Sequence, residues 1–322
     1  MTQPRFQTLL QPDMAEVDRV IRARLHSEVA LVRQVSEYII HSGGKRLRPA
    51  LVVLAAQAMG YRGSHHHEMA AVVEFIHTAT LLHDDVVDAS ELRRGNETAN
   101  ALYGNAASVL VGDFLYSRAF QMMVSVKNMR VMEVLSEATN IIAEGEVLQL
   151  MNCNDPDIDE TAYLQVIRYK TAKLFEAAGR LGAILQGADQ ETEGALGRYG
   201  MHLGTAFQLI DDVLDYSGDT EVIGKNVGDD LAEGKPTLPL LFAMKHGQPD
   251  EAEVIRQAIL EGDSSHFQRI LEIVRHTGAL DHTHARAQTE ADLACEAIAF
   301  LPDSQYKEAL LELPAFAVSR KF

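Results

Sequence analysis

The chain has 322 residues, 47% of them hydrophobic, so it can bury a large core and its composition excludes a disordered protein. Its 29 lysines and arginines against 46 aspartates and glutamates give a formal net charge of −17, which argues against a general nucleic-acid binder. Cys153 and Cys295 form no CxxC pair, so we expect no disulfide framework, no zinc site and a cytoplasmic location. Residues 1–20 lack a signal-peptide pattern, and no run reaches the ~18 apolar residues of a membrane span.

Segments rich in Ala, Leu, Glu and Gln recur at helical spacing along the chain, whereas alternating strand-like runs are hard to find. This pattern predicts an all-α protein. Helix-breaking sequences predict connectors at residues 42–49, 60–64, 93–100, 154–157 and 217–237. None of them is long or flexible enough for an interdomain linker, so we expect a single domain over residues 1–322. Residues 250–322 also follow an amphipathic helical pattern, with a Pro-Asp turn at 302.

Two apolar helical runs end in the same acidic motif. FIHTATLLHDDVVD (75–88) is echoed by HLGTAFQLIDDVLD (202–215), and both end in DDxxD. On an ideal helix Asp84 and Asp88 lie about 40° apart, with His77 between them. The middle aspartate of the motif points about 100° away from that line. The spacing therefore stacks the two outer carboxylates on one helix face.

Asp211 and Asp215 repeat this geometry in the second run. Two stacked carboxylates repel each other unless a positive charge lies beside them. Hard oxygen ligands suit Mg²⁺, which usually shares the phosphate oxygens of a substrate, so the motifs predict a metal-bridged diphosphate. The alternative is a solvated helix end, as expected for single acidic clusters in an acidic protein. An EF-hand is excluded because its central Gly and terminal Glu are absent.

Three sets of basic residues stand out, and two of them follow the acidic motifs. They are Lys45, Arg46 and Arg48 in GGKRLRP, Arg93 and Arg94 after the first motif, and Lys225 and Lys235 after the second. Each set alone is typical of a solvated surface. Together they indicate two anionic groups held side by side, one through metal ions and one directly by Arg and Lys.

Five ordered motifs, GGKRLRP, LLHDDVVDASELRRG, YKTAKLFEAA, GTAFQLIDDVLD and GKNVGDDLAEGKPTLPLL, span residues 43–240 and resemble those of the trans-isoprenyl diphosphate synthases. The resemblance implies the all-α isoprenoid synthase fold, a single antiparallel helical bundle around a deep central cavity, in a homodimer. It implies a prenyltransferase that joins isopentenyl diphosphate to an allylic substrate such as farnesyl diphosphate, using two or three Mg²⁺ ions. No integral membrane segment is implied, and a transient membrane contact would serve product release.

The resemblance also assigns roles to individual residues. The metal ligands would be Asp84, Asp88 and Asp211, to which the helical geometry adds Asp215, while Asp85 and Asp212 would support them. The allylic diphosphate would be bound by Arg93, Lys170, Lys225 and Lys235. The diphosphate of isopentenyl diphosphate would be bound by Gly44, Lys45, Arg48, His77 and Arg94. Thr171 and Gln208 would direct oxygen dipoles at the allylic carbocation, and the released diphosphate would take up the proton.

The residues one turn before the first aspartate predict the product length. Short-chain members of this family carry bulky aromatics at the positions of Ala79 and Thr80, and here both are small, with Ile76 deeper along the helix. Thr80 lies within about 40° of the helix face of Asp84, so geometry supports its role in product length. Ala79 lies about 140° away from that face, so its role is implied by the resemblance alone. Small side chains at these positions would let the growing hydrocarbon chain continue past them, so they predict a long product. We expect octaprenyl diphosphate, with nonaprenyl diphosphate as the alternative. Such a product would supply a quinone side chain, such as that of ubiquinone.

Two other functions remain open alternatives. A terpene cyclase shares the first acidic motif, but it uses a different second motif and does not need GGKRLRP. A silent subunit of a heteromeric synthase should have lost acidic or basic residues that this chain keeps. The triple histidine at 65–67 is not expected to form a specific metal site, because consecutive residues point in different directions.

Overall fold

A computed structural model describes residues 4–41, 43–93, 95–217 and 228–320. The predictions made for Arg94 and Lys225 lie outside the described residues.

The described chain is almost entirely α-helical, which confirms the predicted fold class. The first helices are α1 (Arg5–Arg24), α2 (Ala30–His41), α3 (Leu47–Ala58) and α4 (His65–Val87). They are followed by β1 (Leu92–Arg93), β2 (Asn96–Glu97), α5 (Ala99–Tyr103), α6 (Asn105–Ser125), α7 (Met129–Asn152) and α8 (Glu160–Ile167). A π-helical turn (Arg168–Ala172) leads into α9 (Lys173–Gln186), α10 (Gln190–Ser217), α11 (Asp229–Ala232) and α12 (Leu238–His246). The last helices are α13 (Pro249–Glu261), α14 (Phe267–His276), α15 (Ala279–Ala297) and α16 (Gln305–Ser319).

The predicted connectors at 60–64 and 154–157 lie between helices, and the Pro-Asp turn at 302 separates α15 from α16. Gly60 has a φ of +77°, a conformation that glycine adopts without steric cost, and α3 ends just before it. The connector predicted at 93–100 differs from a plain loop, because strands β1 and β2 pair there as a short antiparallel hairpin. The hairpin begins four residues after the first acidic motif and positions Arg93.

The first compact unit is built from three stretches of the chain, within Met1–Thr139, Leu174–Gly200 and Cys295–Leu313. Helix α4 packs against α1, α3 and α6 in this unit. Every residue from Met69 to Ile76 is buried, and eight consecutive residues cover all directions around a helix. Helix α4 is therefore enclosed on all sides along this segment, which fixes the direction in which its acidic end points.

The second compact unit consists of Asn140–Lys173, Met201–Ala294 and Pro314–Phe322. Its core contains two apolar clusters, and α10 contributes to both. Leu209 and Ile210 pack in a cluster with Tyr163 of α8, whereas Tyr216 packs with residues of α11 to α14. The second acidic motif lies on α10 between these two contacts and is therefore held at both ends.

Among the described residues, no helix has the length and apolar character needed to cross a membrane. The single domain predicted for residues 1–322 stays a prediction.

Candidate active site

The first acidic motif lies at the C-terminal end of α4. The backbone N–H of Asp88 donates to the carbonyl of Asp84 at 2.8 Å, so the helical spacing that stacks these two residues extends through the motif. Both are half-buried, whereas Asp85 is completely buried, which argues against a simple solvated helix end. The negative end of the helix dipole adds to the repulsion between the carboxylates. This helix end therefore favours bound cations.

Asp85, the middle aspartate, is neutralised within the protein. The Nε of Arg93 donates to its Oδ1 at 2.8 Å, and Nη2 of the same guanidinium lies 2.6 Å from that oxygen. The backbone carbonyl of Asp85 accepts from Nδ2 of Asn100 at 3.1 Å. Arg93, which the resemblance assigns to the allylic diphosphate, thus also anchors the hairpin to the end of α4.

Arg48 and His77 come together, as their shared assignment to one diphosphate requires. Nη1 of Arg48 lies 3.2 Å from Nε2 of His77, and its guanidinium stacks 4.4 Å from the centroid of the Phe175 ring. Lys45 and Gly44 precede them on the chain, and Gly44 has a φ of +151° that is favourable for glycine.

Arg46, which the resemblance leaves out of the binding set, has a structural role instead. Its Nη1 forms an ion pair with Oε1 of the buried Glu74 at 3.0 Å. Its φ of +50° lies in the left-handed region. This conformation helps to separate Arg46 from Lys45 and Arg48, so only part of the basic stretch is available to bind an anion.

The second acidic motif also has a buried middle residue. Tyr163 donates from its hydroxyl to Oδ2 of Asp212 at 2.5 Å, and Nε2 of Gln208 donates to Oδ1 at 2.9 Å. Burial raises the pKa of Asp212 to about 8; the charge of Asp230 adds to the rise, and the two hydrogen bonds oppose it. A raised pKa at Asp212 lowers the negative charge that the motif carries when no cation is bound.

Lys170 and Thr171 lie on the π-helical turn between α8 and α9. Such turns are rare and occur frequently at functional sites, because the extra residue changes the direction of the side chains. Nζ of Lys170 lies 2.6 Å from Oε2 of Glu146. The Thr171 hydroxyl donates to Oε1 of Gln208 at 3.0 Å. Gln208, predicted to point an oxygen dipole at a cation, therefore links Thr171 to Asp212.

Arg320 is a site residue that the sequence analysis missed. Its side chain is only 2% exposed, and its Nη1 donates to Oδ1 of Asp211 at 2.5 Å. The guanidinium also donates to the backbone carbonyl of Phe207 and lies 3.7 Å from the centroid of that ring. The sequence contains only one signal, a basic residue after the apolar helix α16, and this does not reveal where the residue packs.

The remaining predicted residues are placed as follows. Lys235 follows α11 and forms an ion pair with Glu233. Ile76 and Ala79 are completely buried on α4, and Thr80 is half-buried with its hydroxyl donating to the carbonyl of His77 at 2.8 Å.

Divalent cations fit the acidic motifs. The outer aspartates supply hard oxygen ligands, and Oδ2 of Asp85 is buried without a hydrogen-bond partner among the described residues. Asp84, Asp88, Asp211 and Asp215 could hold the ions, with Asp85 close to the first pair.

Comparison with known proteins agrees with this geometry. The sequence pattern of the polyprenyl synthetase family matches residues 29–276. The chain belongs to the polyprenyl synthetase family. It is 57% identical to the octaprenyl diphosphate synthase of Escherichia coli K12 over 321 residues, with 99% of each chain covered. It is 47% identical to an all-trans-nonaprenyl-diphosphate synthase (geranyl-diphosphate specific) of Rhodobacter capsulatus, with 98% of each chain covered.

Among solved structures, a polyprenyl synthase from Caulobacter crescentus CB15 matches with a TM-score of 0.96 and 50% identity, covering 99% of this chain and 98% of the other. That protein was crystallised in complex with calcium and isoprenyl diphosphate. This polyprenyl synthetase therefore has the all-α isoprenoid synthase fold, as the sequence predicts. A divalent metal bound in the relative agrees with the oxygen ligands of the two motifs.

The ion pair between Arg93 and Asp85 generates a stability prediction. Arg93→Ala leaves the carboxylate of Asp85 buried and unpaired, so we expect the free energy of unfolding to fall by about 3–5 kcal/mol. Adding Asp85→Ala removes that charge, so the double variant should be more stable than Arg93→Ala alone. Urea denaturation of the three proteins measures the difference. A double variant less stable than Arg93→Ala would contradict this role of the ion pair.

Proposed function

We propose that this polyprenyl synthetase is an all-trans octaprenyl diphosphate synthase, which adds isopentenyl diphosphate units in succession to farnesyl diphosphate. The observation that carries the proposal is the pair of DDxxD motifs, each near the end of a packed helix with its middle aspartate buried. The product length is supported by higher identity to the octaprenyl relative, 57%, than to the nonaprenyl relative, 47%. The chain is a prenyltransferase like the other members of its family.

Asp84, Asp88, Asp211 and Asp215 would hold two or three Mg²⁺ ions beside the allylic diphosphate. Mg²⁺ bound there neutralises the charge that develops on the leaving diphosphate. The protein supplies the placement of the ligands, because Arg93 fixes Asp85 and Tyr163 fixes Asp212. The outer carboxylates are thereby kept in position before substrate arrives.

Four basic residues, Arg93, Lys170, Lys225 and Lys235, would bind the allylic diphosphate directly. Lys170 and Lys235 already form ion pairs with Glu146 and Glu233. A diphosphate carries more negative charge than a carboxylate, so it competes well for the same ammonium groups. These glutamates would therefore hold the lysines near the site until the substrate binds.

Gly44, Lys45, Arg48, His77 and Arg94 would bind the diphosphate of isopentenyl diphosphate without metal. The contacts of Arg48 with His77 and the Phe175 ring restrict its guanidinium. A restricted guanidinium forms charge-assisted hydrogen bonds at a smaller entropic cost. This placement would present the double bond of isopentenyl diphosphate to the carbocation.

Thr171 and Gln208 would stabilise that carbocation through oxygen dipoles. The hydrogen bond from Thr171 to Gln208 uses one of the two lone pairs of the Gln208 amide oxygen, so this bond alone does not saturate the oxygen. An amide oxygen stabilises positive charge without trapping it covalently. The released diphosphate would then accept the proton, so no side chain need act as the general base.

The product is expected to become the side chain of a quinone.

We also propose a homodimer in the cytoplasm, with a transient membrane contact for product release. The dimer is supported by large apolar side chains exposed on α5 and α6. These are Leu102, Tyr103, Val109, Leu110 and Val124. No helix of the described residues could span a membrane, and exposed apolar surface of this kind is typical of an interaction site.

A product assay tests the proposed function. Farnesyl diphosphate and labelled isopentenyl diphosphate with Mg²⁺ should give octaprenyl diphosphate, and omission of either substrate or addition of EDTA should abolish it. Asp84→Ala should lower turnover by at least about 100-fold because it removes a metal ligand. The matched control is Asp292→Ala, which changes an exposed aspartate on α15 and should keep full turnover.

Three outcomes would contradict the proposal. Full activity in EDTA or of folded Asp84→Ala would refute the metal role. A cyclic hydrocarbon formed without isopentenyl diphosphate would indicate a terpene cyclase. A nonaprenyl main product would refute the assigned length.

The residues below Asp84 give a second prediction, on product length. Thr80 is half-buried, so a larger side chain there displaces fewer core atoms than one at the completely buried Ala79. Thr80→Phe should therefore fold and shorten the product, and the double variant with Ala79→Phe should shorten it further at a cost of about 1–3 kcal/mol in stability from overpacking. Chromatography of the products and circular dichroism of each variant measure both effects.

Thr289→Phe is the control, because it makes the same change at an exposed residue on α15 and should leave the product unchanged. Folded, active Thr80→Phe and double variants that still make the wild-type length would show that the growing chain does not pass these residues.

A further inference from the structure

The triple histidine at 65–67 lies at the start of α4, at the opposite end of the helix from the acidic motif. His66 is 18 positions before Asp84, which corresponds to about 27 Å along the helix axis. The residues around it therefore belong to a different part of the first compact unit from the metal-binding aspartates.

Two of these histidines converge on one carboxylate, contrary to the sequence expectation. Nε2 of His67 lies 2.8 Å from Oδ1 of Asp13, and Nε2 of His66 lies 3.5 Å from the same oxygen. The two rings lie against each other, with centroids 3.9 Å apart. Consecutive residues do point in different directions on a helix, but both of these side chains reach the carboxylate of Asp13 on the neighbouring helix α1.

His66 provides the second observation. It is only 3% exposed, and neither of its ring nitrogens has a hydrogen-bond partner among the described residues. Such buried polar atoms are costly, and an unsatisfied one in a folded protein calls for a specific explanation, such as an ion.

We propose that Asp13, His66 and His67 form a binding site for a divalent transition metal ion of the Zn²⁺ type. The donor atoms of all three residues lie within 4.8 Å of one another. In a tetrahedral zinc site, neighbouring ligand atoms lie about 3.3 Å apart. This value falls between the 2.8 Å from His67 Nε2 to Asp13 Oδ1 and the 3.5 Å from His66 Nε2 to the same oxygen. Two imidazoles and one carboxylate favour Zn²⁺, Co²⁺ or Ni²⁺ over Mg²⁺, and three protein ligands leave a position for water.

The surrounding charges are compatible with a bound cation. Glu16 lies one turn after Asp13 and pairs with Arg19, while Glu68 pairs with Arg24 and lies near His65. The positive end of the α4 dipole disfavours a cation at this site. The full negative charge of Asp13, which is itself one of the proposed ligands, offsets this effect. A bound ion would join α1 to α4, the helix that carries the first acidic motif.

Metal titration of the full chain tests this site. The chelator-treated protein is titrated with Co²⁺ in excess Mg²⁺, so that Mg²⁺ occupies the oxygen sites. We expect one Co²⁺ to bind with the visible absorption of imidazole coordination, Zn²⁺ to displace it, and Zn²⁺ to raise the melting temperature. Loss of a group that only supports a metal ligand lowers metal affinity by about 10–100-fold. The variants His66→Ala, His67→Ala and Asp13→Asn each remove a ligand itself, so each should lower Co²⁺ affinity by at least about 100-fold.

His65→Ala is the matched control. His65 is an exposed neighbour in the same turn and should not change the affinity. Asp13→Asn keeps the size of the side chain, and circular dichroism verifies that each variant is folded. Absence of Co²⁺ binding in excess Mg²⁺, or equal binding by wild type and folded Asp13→Asn, would overturn the proposal and leave a purely hydrogen-bonded cluster.

Discussion

The polyprenyl synthetase depends on one electrostatic constraint, the placement of three aspartates at the end of each of two packed helices. In α4 and α10, the apolar residues that precede the motif fix the helix, and the acidic end cannot turn away. Like charges on one face and the negative end of the helix dipole both oppose this arrangement. Divalent cations and basic side chains neutralise such charge. The clustered aspartates are therefore unfavourable for folding, but with bound cations they form a site for an anionic substrate.

The two motifs divide the work between their members in the same way. In each one the middle aspartate is buried and bound by neighbouring side chains, Asp85 by Arg93 and Asp212 by Tyr163 and Gln208. The outer aspartates are more exposed, and the proposed function assigns the metal ions to them. Arg320 on Asp211 is a local exception, since it places a guanidinium beside an outer carboxylate.

Helical periodicity predicted the fold class and the shared face of Asp84 and Asp88, because both depend on residues less than two turns apart. Contacts between distant segments leave no such pattern. The sequence therefore did not reveal that Arg320 reaches Asp211, that Tyr163 binds Asp212, or that the chain forms a π-helical turn at Lys170. The sequence also did not reveal that His66 and His67 converge on Asp13, because helix geometry alone ignores a carboxylate supplied by another helix.

The central claim is that the outer aspartates exist to bind divalent cations together with a diphosphate. Calorimetric titration with Mg²⁺ in the presence of inorganic diphosphate tests it without any turnover. We expect the wild type to bind, and Asp84→Asn combined with Asp88→Asn to lose at least about 100-fold in affinity while its helical circular dichroism is unchanged. Wild-type affinity in this folded double variant would contradict the account.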